Sequence, residues 1–232
     1  MSVIQKNIEL IQSRIEEAAS RSGRIARDIK LIAVSKTKPN EAILEALEAG
    51  QIHFGENRMH ELQAKMREIQ NPGICWHMIG TLQTNKIKYI ANRVDWIHSV
   101  SKAKYFGEIN KRALQFDRTI NILIQVNISN EEQKSGCEVD ELESILNAAR
   151  AYPSISVRGL MGMAHLTSDP EAVRGEFAFL HEAFQNHMHL NEGNVQLSEL
   201  SMGMSNDFEV AIEEGATMVR VGSSIFGARN YG

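Results

Sequence analysis

Cysteine, proline and aromatic residues are scarce in this chain of 232 residues, and each scarcity narrows what it can be. The two cysteines, Cys75 and Cys137, form no CxxC pair, which argues against a disulfide scaffold and against a structural zinc site. The four prolines, Pro39, Pro72, Pro153 and Pro170, are scattered near strand–helix boundaries, and no stretch reads as a linker. One domain spanning residues 1–232 is therefore expected. Charge of one sign is not in excess either. With 25 Lys and Arg against 29 Asp and Glu, the net charge is −4, which speaks against a general binder of nucleic acid or anionic membranes. No window approaches the run of about 18 apolar residues that a membrane span needs. The start, Ser2-Val3-Ile4-Gln5-Lys6-Asn7-Ile8-Glu9, is amphipathic and charged where a signal peptide would be continuously apolar, so a cytoplasmic location is expected. GxGxxG, Walker A, HExxH and GxSxG motifs are missing, and the enzyme classes they mark lose support.

What the chain has is alternation. Hydrophobic residues make up 43% and charged residues 23%, the mix of a folded protein. Ser2 can cap a first helix in which Ile4, Ile8, Ile11 and Ile15 recur at helical spacing up to Gly23. Eight short apolar runs follow: Lys30–Ser35, Ile52–Gly55, Ile74–Ile79, Val94–Ser99, Ile120–Val126, Val157–Met161, Gln196–Ser201 and Thr217–Val221. They recur about every 27 residues, room for one strand, one helix and their loops. Asn40–Glu48 reads as a helix stopped by Gly50, and Val139–Ala149, Glu171–His187 and Asp207–Glu214 read likewise. The segment after Gly80 is short, and Lys102–Ala113 carries the faintest helical pattern. Strict alternation implies a parallel sheet, and eight units after one leading helix predict a closed (β/α)8 TIM barrel, with an open doubly wound sheet as the alternative.

In a barrel, chemistry sits where strands end and helices begin. After the first strand, Ala33-Val34-Ser35-Lys36-Thr37-Lys38 delivers Lys36 to the mouth, either as a desolvated nucleophilic amine or as a solvated lysine. Lys38 competes for that role from the loop beside Pro39, where it is less well fixed. Asn57, in Phe54-Gly55-Glu56-Asn57, either contacts a ligand or caps the next helix. His77, inside an apolar run, is either a ligand contact or a satisfied core residue. Two Gly- and Ser-rich turns, Leu200–Asp207 and Val219–Gly227, follow the last two strands, where barrels often hold phosphate; the alternative is a pair of tight capped turns. His181, His187 and His189 read as a surface cluster, so no metal is expected.

Taken in order, these segments, with Leu82-Gln83, Lys134-Ser135-Gly136, Arg158-Gly159-Leu160-Met161 and Arg220-Val221-Gly222, resemble the pyridoxal phosphate homeostasis protein family over nearly the whole chain. The resemblance implies a barrel like the N-terminal domain of alanine racemase that holds pyridoxal 5′-phosphate (PLP). It implies that Lys36 is the Schiff-base lysine, and that Ser201, Met202, Gly222 and Ser223 cradle the phosphate. By the same resemblance Arg220 faces the pyridine nitrogen, and Asn57, His77 and Met161 line the ring pocket. An arginine there disfavours pyridinium and weakens the ring as an electron sink. Racemases of this kind take a second acid/base, a tyrosine, from another domain of the partner subunit. None of Tyr89, Tyr105, Tyr152 and Tyr231 falls at a predicted strand end, and the sequence stops ten residues past Gly222. The expectation is a monomeric, non-catalytic PLP protein that buffers the cofactor and delivers it to apo-enzymes. A one-domain amino-acid racemase and a phosphate-sugar barrel enzyme without PLP are the alternatives.

Overall fold

The leading helix forms because its apolar residues share one face. In a computed structural model of the chain, which describes residues 1–129 and 135–227, α1 spans Val3–Arg21, and the Ser2 hydroxyl accepts the Gln5 N–H at 3.1 Å. Ile8, Ile11, Ile15 and Ala18 are buried on its inner face. The alternating chain that follows gives β1 (Lys30–Val34), α2 (Asn40–Glu48), β2 (His53–Glu56), α3 (Met59–Glu68), β3 (Cys75–Met78) and β4 (Trp96–Val100). It continues through α4 (Phe106–Gln115), β5 (Ile120–Gln125), α5 (Leu142–Ala149), β6 (Ile155–Met161), α6 (Arg174–His187), β7 (Val195–Met204), α7 (Phe208–Glu213), β8 (Met218–Val221) and α8 (Ser223–Phe226).

All eight strands pair in parallel in chain order, and β8 closes on β1 with Ile32 beside Arg220 and Ala33 beside Val221. The closed barrel agrees with the alternation of the sequence and excludes the open sheet. Between β3 and β4 the connection is too short for a full helix and forms only a 3₁₀ segment, Thr84–Tyr89. Outside, α1 packs against α2, α7 and α8 and fills the ring beside the four-residue α8. Arg14 and Arg21 pair with Glu209 and Glu213 of α7, and the Asn7 amide donates to the Ile225 carbonyl at 2.8 Å. Among the described residues no helix is long and apolar enough to cross a membrane, and both cysteines are free.

One element runs past its expected end. The seventh strand was expected to stop at Ser201, yet β7 extends to Met204. Gly203, at φ +86°, bends it there, in a backbone region open to glycine. The predicted turn is thereby reduced to Ser205-Asn206-Asp207, which Asp207 closes by accepting the Met204 N–H.

Inside the barrel, strand periodicity stacks side chains in layers. Ile32, Trp96, Leu123, Met161 and Met218 form an apolar cluster, separate from the larger core between sheet and helices. His77 and His98 are completely buried. The inner face of β1 continues through Val34 to Lys36, which reaches the mouth.

Candidate functional site

A cavity of about 770 Å³ opens where the strands end. Its wall is built from Val34 and Lys36 after β1, Asn57 after β2, Ile79 and Gly80 after β3, Gln125 of β5, Met163 after β6, Ser205 to Asp207 after β7, Arg220 of β8, and Gly222 and Ser223 beyond it. This is the face on which barrels carry ligands, and the volume suits a small molecule. Gly80 permits one close approach: a Cβ there would lie 2.0 Å from the Asn57 carbonyl oxygen.

Lys36 is set by a buried polar platform. The Ser35 hydroxyl donates to Glu56 Oε1 at 2.6 Å, and Lys65 Nζ donates to the same oxygen at 2.7 Å and to the Ser35 carbonyl at 2.8 Å. Lys65 also reaches Glu61 at 2.9 Å, and Glu61 accepts the Thr37 N–H. Burial raises the Glu56 pKa above the usual carboxylate value, with Lys65 and Ser35 acting against that rise. Thr37 sits at φ +64°, a conformation costing a β-branched residue about 1–2 kcal/mol, so these bonds hold a strained turn next to Lys36. Lys38 is better fixed than its loop position suggested. Its Nζ donates to the carbonyls of Phe226 and Gly227 at 2.8 and 3.2 Å.

On β8, the strand beside β1, Arg220 is nearly fully buried, and its guanidinium donates to Ser201 Oγ at 2.6 Å and to the Gly162 carbonyl at 2.9 Å. Burial lowers its pKa to about 10, with Asp207 opposing, so it is cationic at neutral pH. Asp207 itself is raised above the usual carboxylate value, first by burial, while the Met204 N–H and Arg220 favour its charged form. Below Arg220 a polar chain runs down the barrel. Ser201 Oγ is 3.0 Å from His98 Nδ1, His98 Nε2 is 2.9 Å from His77 Nδ1, and His77 Nε2 is 3.1 Å from His53 Nδ1. Burial holds His77 and His98 well below the ordinary histidine value, helped by neighbouring cationic groups, so both rings are neutral. Each neutral imidazole has one donor and one acceptor nitrogen, which is what a head-to-tail chain requires.

The model of the alanine racemase N-terminal domain family matches residues 4–230. The pyridoxal phosphate homeostasis protein of Pseudomonas aeruginosa is 41% identical over 232 residues, covering 100% of this chain and 98% of that protein. The chain belongs to the pyridoxal phosphate homeostasis protein family. The family member PipY of Synechococcus elongatus, solved with PLP bound, superposes with a TM-score of 0.80 at 35% identity, covering 92% of this chain and 100% of that one. An alanine racemase of Clostridium difficile shares the fold at 14% identity and a TM-score of 0.70, and this chain spans 57% of it.

Of the residues singled out by the family resemblance, Lys36, Asn57, Arg220, Gly222 and Ser223 lie together on the cavity wall. His77, Met161, Ser201 and Met202 are buried and do not line it. Ser201 is engaged by Arg220 and His98, while the hydroxyls of the last two turns that face the cavity belong to Ser205 and Ser223. Met161 packs in the inner apolar cluster, and His77 lies one inward position below Ile79, which does reach the cavity. Lys134 and Tyr231 lie outside the described residues. Sequence reasoning passed over Gln125, Asp207 and the Glu56–Lys65 pair. Glu56 had a legible signal, a carboxylate inside the apolar run of β2, but its partner follows only from how α3 packs.

Proposed function

We propose that this protein binds PLP in the cavity, with Lys36 as the amine that holds it, and serves cofactor homeostasis in the cytoplasm by buffering and delivery. The observation that carries this reading is the pairing of Lys36 and the buried Arg220 guanidinium on one cavity wall, in a chain of this family. The residues present fit the group. Ser205 and Ser223 offer hydroxyls to a phosphate, and the first N–H groups of α8 precede any helical acceptor. Gly222 is close to the wall, since a Cβ there would lie 3.1 Å from the Val34 carbonyl oxygen. Asn57 and Ile79 also line the cavity, and Arg220 supplies a fixed cation to face the ring nitrogen.

When bound, PLP supplies an electron sink for carbanions. A cationic arginine beside its nitrogen opposes protonation there and weakens that sink. The titratable groups on the described wall are Lys36, Lys38, Arg58, Asp207 and Arg220; Tyr89, Tyr105 and Tyr152 are not on it. None of the described wall residues is a tyrosine, the residue that racemases of this kind use as the second acid/base. We therefore read the protein as non-catalytic, with PLP and apo PLP-dependent enzymes as its partners.

The test is to load the purified protein with PLP and follow its visible absorption. The wild type is expected to show a band that Lys36→Ala abolishes, while that variant retains PLP non-covalently through the phosphate contacts. A band unchanged in Lys36→Ala overturns the assignment. Delivery is tested by mixing loaded protein with an apo-enzyme and a trap for free PLP. Transfer despite the trap identifies a carrier, and none identifies a buffer. Racemisation of alanine at rates ordinary for PLP enzymes would overturn the non-catalytic reading.

A further inference from the structure

At the end of the barrel opposite the cavity, three side chains converge. His53 begins β2, Cys75 begins β3 directly beside it in register, and His77 follows two residues later on the same face. His77 Nε2 lies 3.1 Å from His53 Nδ1 and 3.5 Å from Cys75 Sγ, and all three atoms fall within 4.8 Å of one another. We propose that His53, Cys75 and His77 form a binding site for a zinc-class metal ion at the base of the barrel.

Two of the three separations are close to those of a tetrahedral site. With metal–nitrogen bonds of about 2.0–2.1 Å and a metal–sulfur bond of about 2.3 Å, tetrahedral ligand atoms stand about 3.3–3.6 Å apart. The observed 3.5 Å falls within that range and 3.1 Å just below it, and His53 Nδ1 and Cys75 Sγ stand within 4.8 Å of each other. Without a metal, the head-to-tail chain accounts for the His77–His53 contact but leaves Cys75 out. One ring nitrogen has a single direction in which to donate or accept, and here both His53 and Cys75 aim at the same nitrogen of His77. A cation among the three satisfies all of them at once.

The donor set selects the metal. Two imidazoles and a thiolate suit zinc and its neighbours, and they are wrong for magnesium or calcium, which take oxygen. The three ligands lie on adjacent strands, so the site is preformed. His77 has the outer partner a metal ligand usually has: its Nδ1 lies 2.9 Å from His98 Nε2. With Nε2 on the metal, the proton of His77 stays at Nδ1 and points to His98. Burial, seconded by Asp95, pushes the Cys75 thiol up to about 12 in the absence of metal, so binding releases the thiol proton to solvent.

The surrounding charges are already matched. Lys30 pairs with Glu199 at 2.6 Å and Arg118 with Asp95 at 2.8 Å. His53 and Cys75 are half-buried at the strand starts, so an ion reaches them without entering the cofactor cavity.

The experiment is a Co²⁺ titration of the full chain, reading the thiolate-to-cobalt charge-transfer band and the visible bands of tetrahedral cobalt, followed by Zn²⁺ competition. One equivalent of Co²⁺ is expected to develop both, and Zn²⁺ to bleach them. Cys75→Ser should abolish the charge-transfer band, His53→Gln should weaken binding at least tenfold, and Cys137→Ser should change neither. Absence of the bands in the wild type overturns the site, as does a charge-transfer band that survives in Cys75→Ser. Should Cys75→Ser fail to fold, His53→Gln decides: affinity equal to wild type overturns the proposal. The outcome is independent of PLP binding.

Discussion

Arg220 shows how much one residue carries at this site. Its guanidinium is buried, donates to Ser201 and to the Gly162 carbonyl, and presents a cation to the cavity. Replacing it with methionine keeps most of the volume and removes the charge-assisted bonds. Such bonds contribute about 1.5–3 kcal/mol, so Arg220→Met should lower stability to unfolding in urea by about that amount. Gly80 is as constrained for a steric reason. Gly80→Ala would drive a Cβ into the Asn57 carbonyl and should weaken PLP retention, measured by equilibrium dialysis, more than Ser223→Ala does. At this scale the sequence was legible where function and local position coincide. Lys36 follows an apolar strand directly, and Gly222 and Ser223 occupy a strand-to-helix turn. It was less legible for Ser201, whose small polar side chain reads as part of a turn until β7 is seen to run through it to Met204.

Elements position residues that never touch the cavity. β1, β2 and α3 meet at the Ser35–Glu56–Lys65 platform, in which the Lys65 ammonium and Glu56 carboxylate are shielded from water. Removing one partner of a buried pair leaves an uncompensated charge. Lys65→Met should therefore cost about 3–5 kcal/mol in urea unfolding, and the double variant with Glu56→Gln should recover much of the loss. If the single and double variants are equally destabilised, the pair is not what holds the turn at Thr37. The elements were largely legible because strand and helix periodicities are local. Asn40–Glu48 matches α2 residue for residue. The pairing of Lys65 with Glu56 was not, because it depends on the angle at which α3 returns to the sheet.

The whole barrel encloses a column of histidines, and this gives the molecule a pH dependence. His53, His77 and His98 are all held below the ordinary value of 6.5, chiefly by burial. Below that pH the unfolded chain binds protons that the folded chain refuses, so stability falls as pH falls. Each fully neutral buried histidine contributes a slope of about 1.4 kcal/mol per pH unit. Urea unfolding between pH 7.5 and 5.5 should show this loss setting in below about pH 6.5, and His98→Asn should flatten it. An equal slope in that variant would mean that His98 titrates in the folded state.

The sequence by itself determined the alternation of strands and helices, the leading helix, the delivery of Lys36 to the mouth and the family. Each of these is written in local periodicity or in the order of motifs along the chain. Only the tertiary structure decided which side chains meet. Closing β8 on β1 and setting the strand registers bring Arg220, Ser201, His98, His77, His53 and Cys75 into one column, although they come from five strands. No short-range pattern encodes that meeting, because it arises from the pitch and closure of the sheet.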